Sequence, residues 1–204
     1  MRGLYAKSSA LLGLTVFSAV VIVTLWYAPR YLICENSLRK TDCIILLVGP
    51  DYDLRRDKAL ELMADGYSSN LVMPAFNSIL VSSEKEINPP HWQPEEESPF
   101  IDAMKIKDKF RFYENTHLEV LIAKEISERH GFRSITFVSS PYHMRRVKLI
   151  AERVFAANYY RLSFVTYGTR NPNSFLWIFR EEDLKWVTSE YVKIVWFMVY
   201  TSLS

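Results

Sequence analysis

The sequence predicts an α/β domain, with a doubly wound and largely parallel sheet of about five strands, preceded by one N-terminal transmembrane helix. Two observations lead to this prediction. A run of 21 residues without charge stands near the N-terminus, and after it short apolar runs of strand length alternate with segments of helical length. The 204 residues are enough for one domain of ordinary size and an anchor.

Composition and net charge exclude several classes of protein. Apolar residues form 49% of the chain, which is enough for a buried core and argues against disorder. The net charge of +2 and the absence of a long basic run indicate that nucleic acid is not a partner. Cys34 and Cys43 lack the paired spacing of a zinc site, so no metal is predicted. Two interpretations of them stay open: a disulfide, if the domain lies outside the cytoplasm, or a free buried thiol at Cys43.

The uncharged run, residues 8–28, is predicted to cross a lipid bilayer. At about 1.5 Å per residue its helix would cover a hydrocarbon core of ~30 Å. Trp26 and Tyr27 end the run like an interfacial aromatic pair. Their bulk argues against the alternative, a signal peptide, because a cleavage site needs small residues. Residues 1–30 are therefore interpreted as an uncleaved anchor, and residues 31–41 as a linker to a domain over 42–204.

Basic residues on both sides of the anchor bear on its orientation. Arg2 and Lys7 favour a cytoplasmic N-terminus, whereas Arg30, Arg39 and Lys40 on the far side weaken this bias. We expect a single-pass membrane protein whose domain lies on the extracytoplasmic side.

The first half of the domain has the pattern strand, helix, strand. Residues 43–48 (CIILLV) form a continuous apolar run, which is typical of a strand covered on both faces. Asp51 or Asp53 can cap a helix that extends to about Ala64. Residues 70–74 are predicted as a second short strand, so that about thirty residues form a βαβ unit.

The acidic, proline-rich segment over residues 84–99 interrupts this pattern. A stretch of this length without periodicity is long for a connection inside a compact domain. It is interpreted as a solvated insertion, with a mobile lid beside a site as the alternative.

The second half of the chain continues the alternation. Strands are predicted at 110–113, 134–139 and 162–167, and helices at 116–130, 141–156 and 181–200. The apolar end of the last helix is too short to span a bilayer, so it is interpreted as core-packing or membrane-grazing surface. Strands that alternate with helices in this way indicate a Rossmann-like sheet, in which ligands bind beyond the carboxyl ends of the strands.

The first candidate site, SSPYHMRR, follows the strand at 134–139. Ser140 can cap the next helix after the strand ends at Ser139, and Pro141 suits the first helical position. The free amides of that first turn form an anion site. His143 and Arg146 share a face and can hold phosphate or carboxylate, with His143 able to move a proton near neutral pH. The structural alternative is a capped helix with a surface arginine and a packed histidine.

The second candidate site, ENTHLEV, opens the helix predicted at 116–130. Thr116 and Glu119 have the spacing of a capping box, which by itself accounts for both residues. Asn115 and Glu119 would still point toward the ligand-binding edge of the sheet. His117 is expected to be exposed.

The third candidate site, GPDYDLRR, occupies the place of a phosphate-binding loop after the first strand. It carries one glycine, Gly49, where G-x-G-x-x-G needs three, so dinucleotide binding is disfavoured. Asp51 can supply a carboxylate to the cleft and Arg55 can aid anion binding. Alternatively, Asp51 and Asp53 are helix caps and Arg55 is solvated. The sequence also lacks the G-x-S-x-G, H-E-x-x-H and Walker motifs, and no cofactor is predicted.

The order of these groups resembles the YdcF/SanA/ElyC family of bacterial envelope proteins, over about residue 42 to the last helix. The most specific part of the resemblance is the family's Thr-Ser-x-x-His-Met-x-Arg-Ala signature, which is similar to Ser139, Ser140, His143, Met144 and Arg146 here. The resemblance also covers Thr116 and Glu119 in an Asn-Thr-x-x-Glu-Asn element, and Arg55. The chain has Val120 for the family's asparagine and a reduced glycine-rich turn, as in a divergent member.

The resemblance implies a membrane-anchored cell-envelope protein of the bacterial inner membrane. Its ligand would be a small anionic or phosphorylated molecule, such as a lipid-linked sugar or cell-wall precursor, bound at the carboxyl edge of the sheet. The catalytic candidates are His143, Glu119 and Asp51, and the ligand-binding candidates are Gly49, Arg55, Asn115, Thr116, Ser139, Ser140 and Arg146. Two alternatives stay open: a non-catalytic binding or regulatory module, and a nucleotide- or S-adenosylmethionine-binding enzyme.

Overall fold

Five strands form one sheet in the computed structural model, which describes residues 2–82, 89–90, 98–107, 110–156, 158–168 and 175–203. The strands are β1 (Cys43–Leu46), β2 (Asn70–Met73), β3 (Ser78–Val81), β4 (Ser134–Ser139) and β5 (Arg161–Thr166). Their order is β3-β2-β1-β4-β5, and among these described strands β3 alone runs antiparallel to its neighbour. The predicted α/β fold with a mostly parallel sheet is confirmed.

Helices cover both faces of this sheet. They are α1 (Arg2–Leu32), α2 (Tyr52–Ala64), α3 (Pro99–Lys105), α4 (Asn115–His130), α5 (Met144–Val154) and α6 (Glu181–Ser202), with 3₁₀ helices at Pro74–Phe76 and Phe175–Phe179. α2 packs with Ile44 and Leu46 of β1 on one face, whereas α4 and α5 pack with Cys43 and Ile45 on the other. Since successive side chains of a strand point to opposite faces, the continuous apolar run of β1 fits a strand buried on both sides.

Three sequence predictions of elements need correction. Residues 110–113 form turns and not a strand, and the rings of Phe110 and Tyr113 pack edge to face with centroids 5.3 Å apart. The fifth strand is instead β3, which the sequence analysis did not predict. α5 begins at Met144, three residues after the predicted start at Pro141. Most of the predicted loop at 84–99 falls outside the described residues, which there include only 89, 90, 98 and 99.

One described helix, α1, is long and apolar enough to cross a membrane, over Leu12–Leu32. Pro29 lies inside this helix and has no N–H to donate to the carbonyl of Leu25. The indole Nε1 of Trp177 donates to that carbonyl oxygen at 2.8 Å and takes the place of the missing amide. The end of α1 is also buried in a small apolar cluster of Leu32, Tyr142, Trp177, Val187 and Ile194. The end of α1 therefore packs directly on the domain.

The segment predicted as a linker lies along β5. Asn36 exchanges backbone and side-chain hydrogen bonds with Phe164, whose N–H donates to the Asn36 Oδ1 at 2.6 Å. The Glu35 carboxylate accepts from the N–H of Thr166 at 2.9 Å. Backbone groups at the outer edge of β5 are thereby satisfied by the chain that leaves α1.

Candidate functional site

A cavity of about 600 Å³ opens at the carboxyl ends of β1 and β4. Its lining comes from four segments: Val48, Gly49, Pro50 and Arg55; Asn115, Thr116 and Glu119; His143 and Arg146; and Glu182, Lys185, Trp186, Ser189, Glu190 and Lys193. The cavity thus brings together residues from all three segments that the sequence analysis selected. Of the predicted site residues, Asp51, Ser139 and Ser140 do not line it.

Arg55 braces the floor of the cavity and is only 2% exposed, so the alternative of a solvated arginine is wrong. Its Nη1 donates to the carbonyls of Leu47 (3.2 Å) and Val48 (2.9 Å), and its Nε and Nη2 donate to the Ser140 Oγ. The guanidinium lies against the backbone of Gly49, where an added Cβ would stand 2.7 Å from both terminal nitrogens. Glycine is therefore required here by close approach.

Ser140 and Asp51 lie next to Arg55. Asp51 occupies the predicted N-cap position of α2, but its side chain makes no capping hydrogen bond. The Ser140 hydroxyl donates to the Asp51 Oδ2 at 2.9 Å, and the Tyr167 hydroxyl donates to the same oxygen at 2.8 Å. The Met144 N–H, at the start of α5, donates to the Ser140 carbonyl at 3.1 Å. The predicted helix cap at Ser140 is therefore wrong, because its side chain serves Arg55 and Asp51 instead.

Arg146 organises the wall opposite Arg55 with five hydrogen bonds. Its Nε and Nη2 donate to the two carboxylate oxygens of Glu190 at 2.7 and 3.0 Å. Nη1 donates to the Thr116 Oγ1 at 3.1 Å and to the Glu114 carboxylate, and Nη2 also donates to the His143 Nδ1 at 2.9 Å. A guanidinium has five N–H donors, so those of Arg146 are engaged by the protein itself. Arg146 holds α4, α5 and α6 together.

His143 is a neutral hydrogen-bond donor in this arrangement. Burial, reinforced by the positive charge of Arg146, lowers the pKa of its imidazole to about 4. Its Nδ1 lies 2.9 Å from the Arg146 Nη2, which can only donate, and 3.2 Å from the Glu190 Oε2, which can only accept. We assign Nδ1 as the acceptor in the shorter contact, which places the proton of the neutral ring on Nε2. Glu190 stays ionised: burial favours its neutral form, but the adjacent His143 and Arg146 hold the pKa of its carboxyl group well below the usual range.

Glu119 is a carboxyl group that keeps its proton at neutral pH. It is 2% exposed, and this burial raises its pKa to about 8, although the Val48 N–H and the charges of Arg55 and Arg146 act in the opposite direction. The Val48 N–H donates to its Oε2 at 2.9 Å. At pH 7 Glu119 is therefore a buried acid that can donate a proton or a hydrogen bond.

The predicted capping box at the start of α4 is wrong. α4 begins at Asn115, one residue earlier than predicted, so Thr116 and Glu119 both lie inside the helix and face the cavity. Glu114 occupies the N-cap position, without a capping hydrogen bond from its side chain. The predicted exposure of His117 is wrong as well. Its ring is 5% exposed and lies parallel to Tyr113 with centroids 4.5 Å apart.

The polar face of α6 is the part of the site that the sequence analysis missed. Its residues alternate in steps of three and one along the helix, as expected for one face, at positions 182, 185, 186, 189, 190 and 193. The sequence contains this spacing, but the apolar residues at the end of the same helix form the stronger pattern.

Gly49→Ala is expected to lower the free energy of unfolding by about 1–3 kcal/mol, since the new methyl group must displace the buried guanidinium of Arg55 from its acceptors. Urea titration in detergent, followed by tryptophan fluorescence, measures the change. Gly168→Ala is the matched control, because a Cβ there meets no atom of the described residues within 4 Å. Equal free energies of unfolding for the two variants would contradict the close approach of the Arg55 guanidinium to the Gly49 backbone.

At neutral pH the cavity presents mainly hydrogen-bond donors. Glu119 keeps its proton, His143 carries one on Nε2, and Lys185 and Lys193 bring positive charge from α6. Such a lining suits a ligand rich in acceptor oxygens. Comparison with known proteins adds no assignment, because no family model, no curated protein and no solved structure matches the chain.

Proposed function

We propose that this protein is a membrane-anchored domain that binds a small anionic or phosphorylated ligand in the cavity at the carboxyl edge of its sheet. The observation that carries the proposal is the lining of the cavity, to which Lys185 and Lys193 contribute together with the buried side chains of Glu119 and His143. Two groups that titrate in water between pH 4 and 7, Glu119 and His143, are both held as neutral donors by burial. A ligand anion would therefore meet neutral groups at Glu119 and His143, while the carboxylate of Glu190 in the same lining is paired with Arg146.

The charge balance of the lining supports an anion. Arg55, Arg146, Lys185 and Lys193 line the cavity together with the carboxylates of Glu182 and Glu190, while Glu119 is neutral. The two arginines are committed to internal hydrogen bonds. Lys185 and Lys193 are therefore the cations assigned to ligand contact, with the Lys193 Nζ also lying 3.7 Å from the Glu190 Oε1.

The topology gives a second line of support. Strand order β3-β2-β1-β4-β5 is consistent with a Rossmann-like sheet whose connections reverse direction between β1 and β4, and the cavity opens where ligands bind in such sheets. We extend the proposal to a bacterial envelope protein of the YdcF/SanA/ElyC type, with the domain on the extracytoplasmic side of the inner membrane. A lipid-linked sugar or cell-wall precursor is the ligand class that this resemblance implies.

Replacing both lysines tests the ligand class. Lys185→Ala with Lys193→Ala is expected to raise the Kd for inorganic phosphate and for a sugar 1-phosphate by about tenfold or more, since each lysine would supply a charge-assisted hydrogen bond. Isothermal titration calorimetry of the full chain in detergent at pH 7 measures it. Lys124→Ala, on an exposed face of α4, is the control. An unchanged Kd in the double variant would contradict the proposal.

The pH dependence of the same binding tests the role of Glu119. Above about pH 8 its carboxyl group ionises and places a negative charge in the wall, so anion affinity should fall. Glu119→Gln keeps a neutral donor at all these pH values and should abolish the fall.

The same carboxyl group favours a second candidate function, hydrolysis of a phosphate ester in the bound ligand: water attacks the phosphorus, the P–O bond to the sugar breaks, and Glu119 gives its proton to the departing sugar oxygen. A buried acid with a pKa of about 8 can protonate a leaving oxygen at neutral pH. If Glu119 acts in this way, Glu119→Gln retains sugar 1-phosphate binding and loses phosphate release. Binding without any turnover in the parent protein would leave the non-catalytic module.

A further inference from the structure

The 3₁₀ helix Phe175–Phe179 exposes large apolar side chains beside the anchor helix. Phe179 is 80% exposed and Leu176 is 56% exposed, while Trp177 between them is buried against α1. Arg180 follows directly. The segment thus packs one aromatic ring on the anchor and displays apolar groups around it.

The hydrogen bonds of the anchor fix the height of this segment along α1. Trp177 donates to the carbonyl of Leu25, whereas the Tyr191 hydroxyl donates to the carbonyl of Ala28 at 2.9 Å. At about 1.5 Å per residue, the level of Leu25 lies roughly 4–5 Å deeper along the anchor than Ala28, away from the domain.

The bilayer surface also has to lie near this height. Pro29 and Leu32 are buried by the domain, so the part of α1 that remains available to lipid ends near Tyr27. Trp26 and Tyr27 are exposed there, and the Arg30 guanidinium folds back over the Trp26 ring, 3.5 Å from its centroid. Aromatic residues with an adjacent arginine are typical of a membrane–water boundary.

We propose that the 3₁₀ helix Phe175–Phe179 inserts into the interfacial layer of the bilayer that α1 spans, with Phe179 and Leu176 in contact with lipid. The occupant of this apolar surface is the lipid itself, because the surface continues the lipid-facing part of α1 at the level of Leu25. The inference rests on the proposed membrane anchor. It adds a second point of contact, which fixes the tilt of the domain and the direction in which the cavity opens.

Spin-label depth measurements test this inference. Single-cysteine variants Phe179→Cys, Val20→Cys and Ile106→Cys of the full chain, with Cys34→Ser and Cys43→Ala, are reconstituted in phosphatidylcholine–phosphatidylglycerol vesicles. Power saturation then compares collisions with oxygen and with a water-soluble nickel chelate. Val20 lies in the apolar part of α1, and Ile106 is 83% exposed after α3. Leu176→Cys is the second test position.

The label at position 179 is expected to lie between the labels at positions 106 and 20, with at least a severalfold excess of oxygen over nickel collisions compared with position 106. A different result would refute the insertion of the 3₁₀ helix: labels at positions 179 and 176 as accessible to nickel as the label at position 106, with the label at position 20 inaccessible. The proposed membrane anchor would be unaffected by that result. Nickel access at position 20 as well would overturn the anchor and the inference together.

Discussion

Glu190→Ala is expected to lower the free energy of unfolding by about 3–5 kcal/mol, because it leaves the guanidinium of Arg146 buried without its main counter-ion. Arg146 is 4% exposed and gives two of its five hydrogen bonds to Glu190. Glu114 remains as a second carboxylate partner of Arg146 at Nη1, but the buried Nε and Nη2 donors lose their charged acceptors. Urea titration of the full chain in detergent measures the difference from the parent.

Two comparisons make this result specific to the buried pair. Glu125→Ala removes an exposed carboxylate from α4 and should change stability by less than about 0.5 kcal/mol. The pKa of Glu190 is lowered in the folded protein, so its contribution is present above the unfolded value of 4.5 and is lost as the pH falls through the folded value. The difference in the free energy of unfolding between the parent and Glu190→Ala should therefore become smaller at acidic pH. A difference of less than about 1 kcal/mol at pH 7 would contradict the hydrogen bonds that Arg146 makes with Glu190.

The second large effect is a decline in stability with pH that depends on Glu119. Its pKa rises from 4.5 in the unfolded chain to about 8 in the folded protein, so between these values the folded state holds a proton that the unfolded state has lost. Its contribution to stability is fully present below pH 4.5 and is lost as the pH rises through about 8, by up to about 1.4 kcal/mol per pH unit.

Glu119→Gln should remove this decline. Parent and variant are compared by urea titration at half-unit steps from pH 4.5 to 9, and the variant is expected to gain relative to the parent as the pH rises. Asp102→Asn, on the short helix α3, is a control that should leave the slope unchanged. Parallel curves for parent and Glu119→Gln would mean that the carboxyl group is ionised in the folded protein.

Sequence patterns that report on burial predicted much of the fold. Both β1 and β4 are buried along their whole length, and a continuous apolar run such as that of β1 has few alternatives to a covered parallel strand. β3 escaped prediction because its four residues are only half buried and follow a left-handed turn at Asn77. Residues 110–113 (FRFY) have an alternating pattern that is typical of a short strand, but Phe110 and Tyr113 pack against each other in a turn.

Site residues that follow the ends of strands were predicted from the sequence. Site residues that only the tertiary fold brings to the cavity were missed. The sequence motifs for helix capping assigned Thr116 and Ser140 to helix caps. In the structure a buried arginine donates to each hydroxyl instead: Arg146 to Thr116 and Arg55 to Ser140. Capping motifs describe what a helix end can do in isolation. Glu190 lies 44 residues after Arg146 in the sequence, so no local sequence pattern predicts that these two side chains form an ion pair.

The chain between α1 and β1 has a consequence for how copies of this protein could associate. Asn36 and Glu35 already occupy hydrogen-bonding groups along the outer side of β5. A sheet recruits a further strand through such groups, so a second copy cannot extend the sheet on this side without first detaching the segment that joins the domain to α1. The same few residues thus connect α1 to the domain and protect an edge of the sheet from edge-to-edge aggregation.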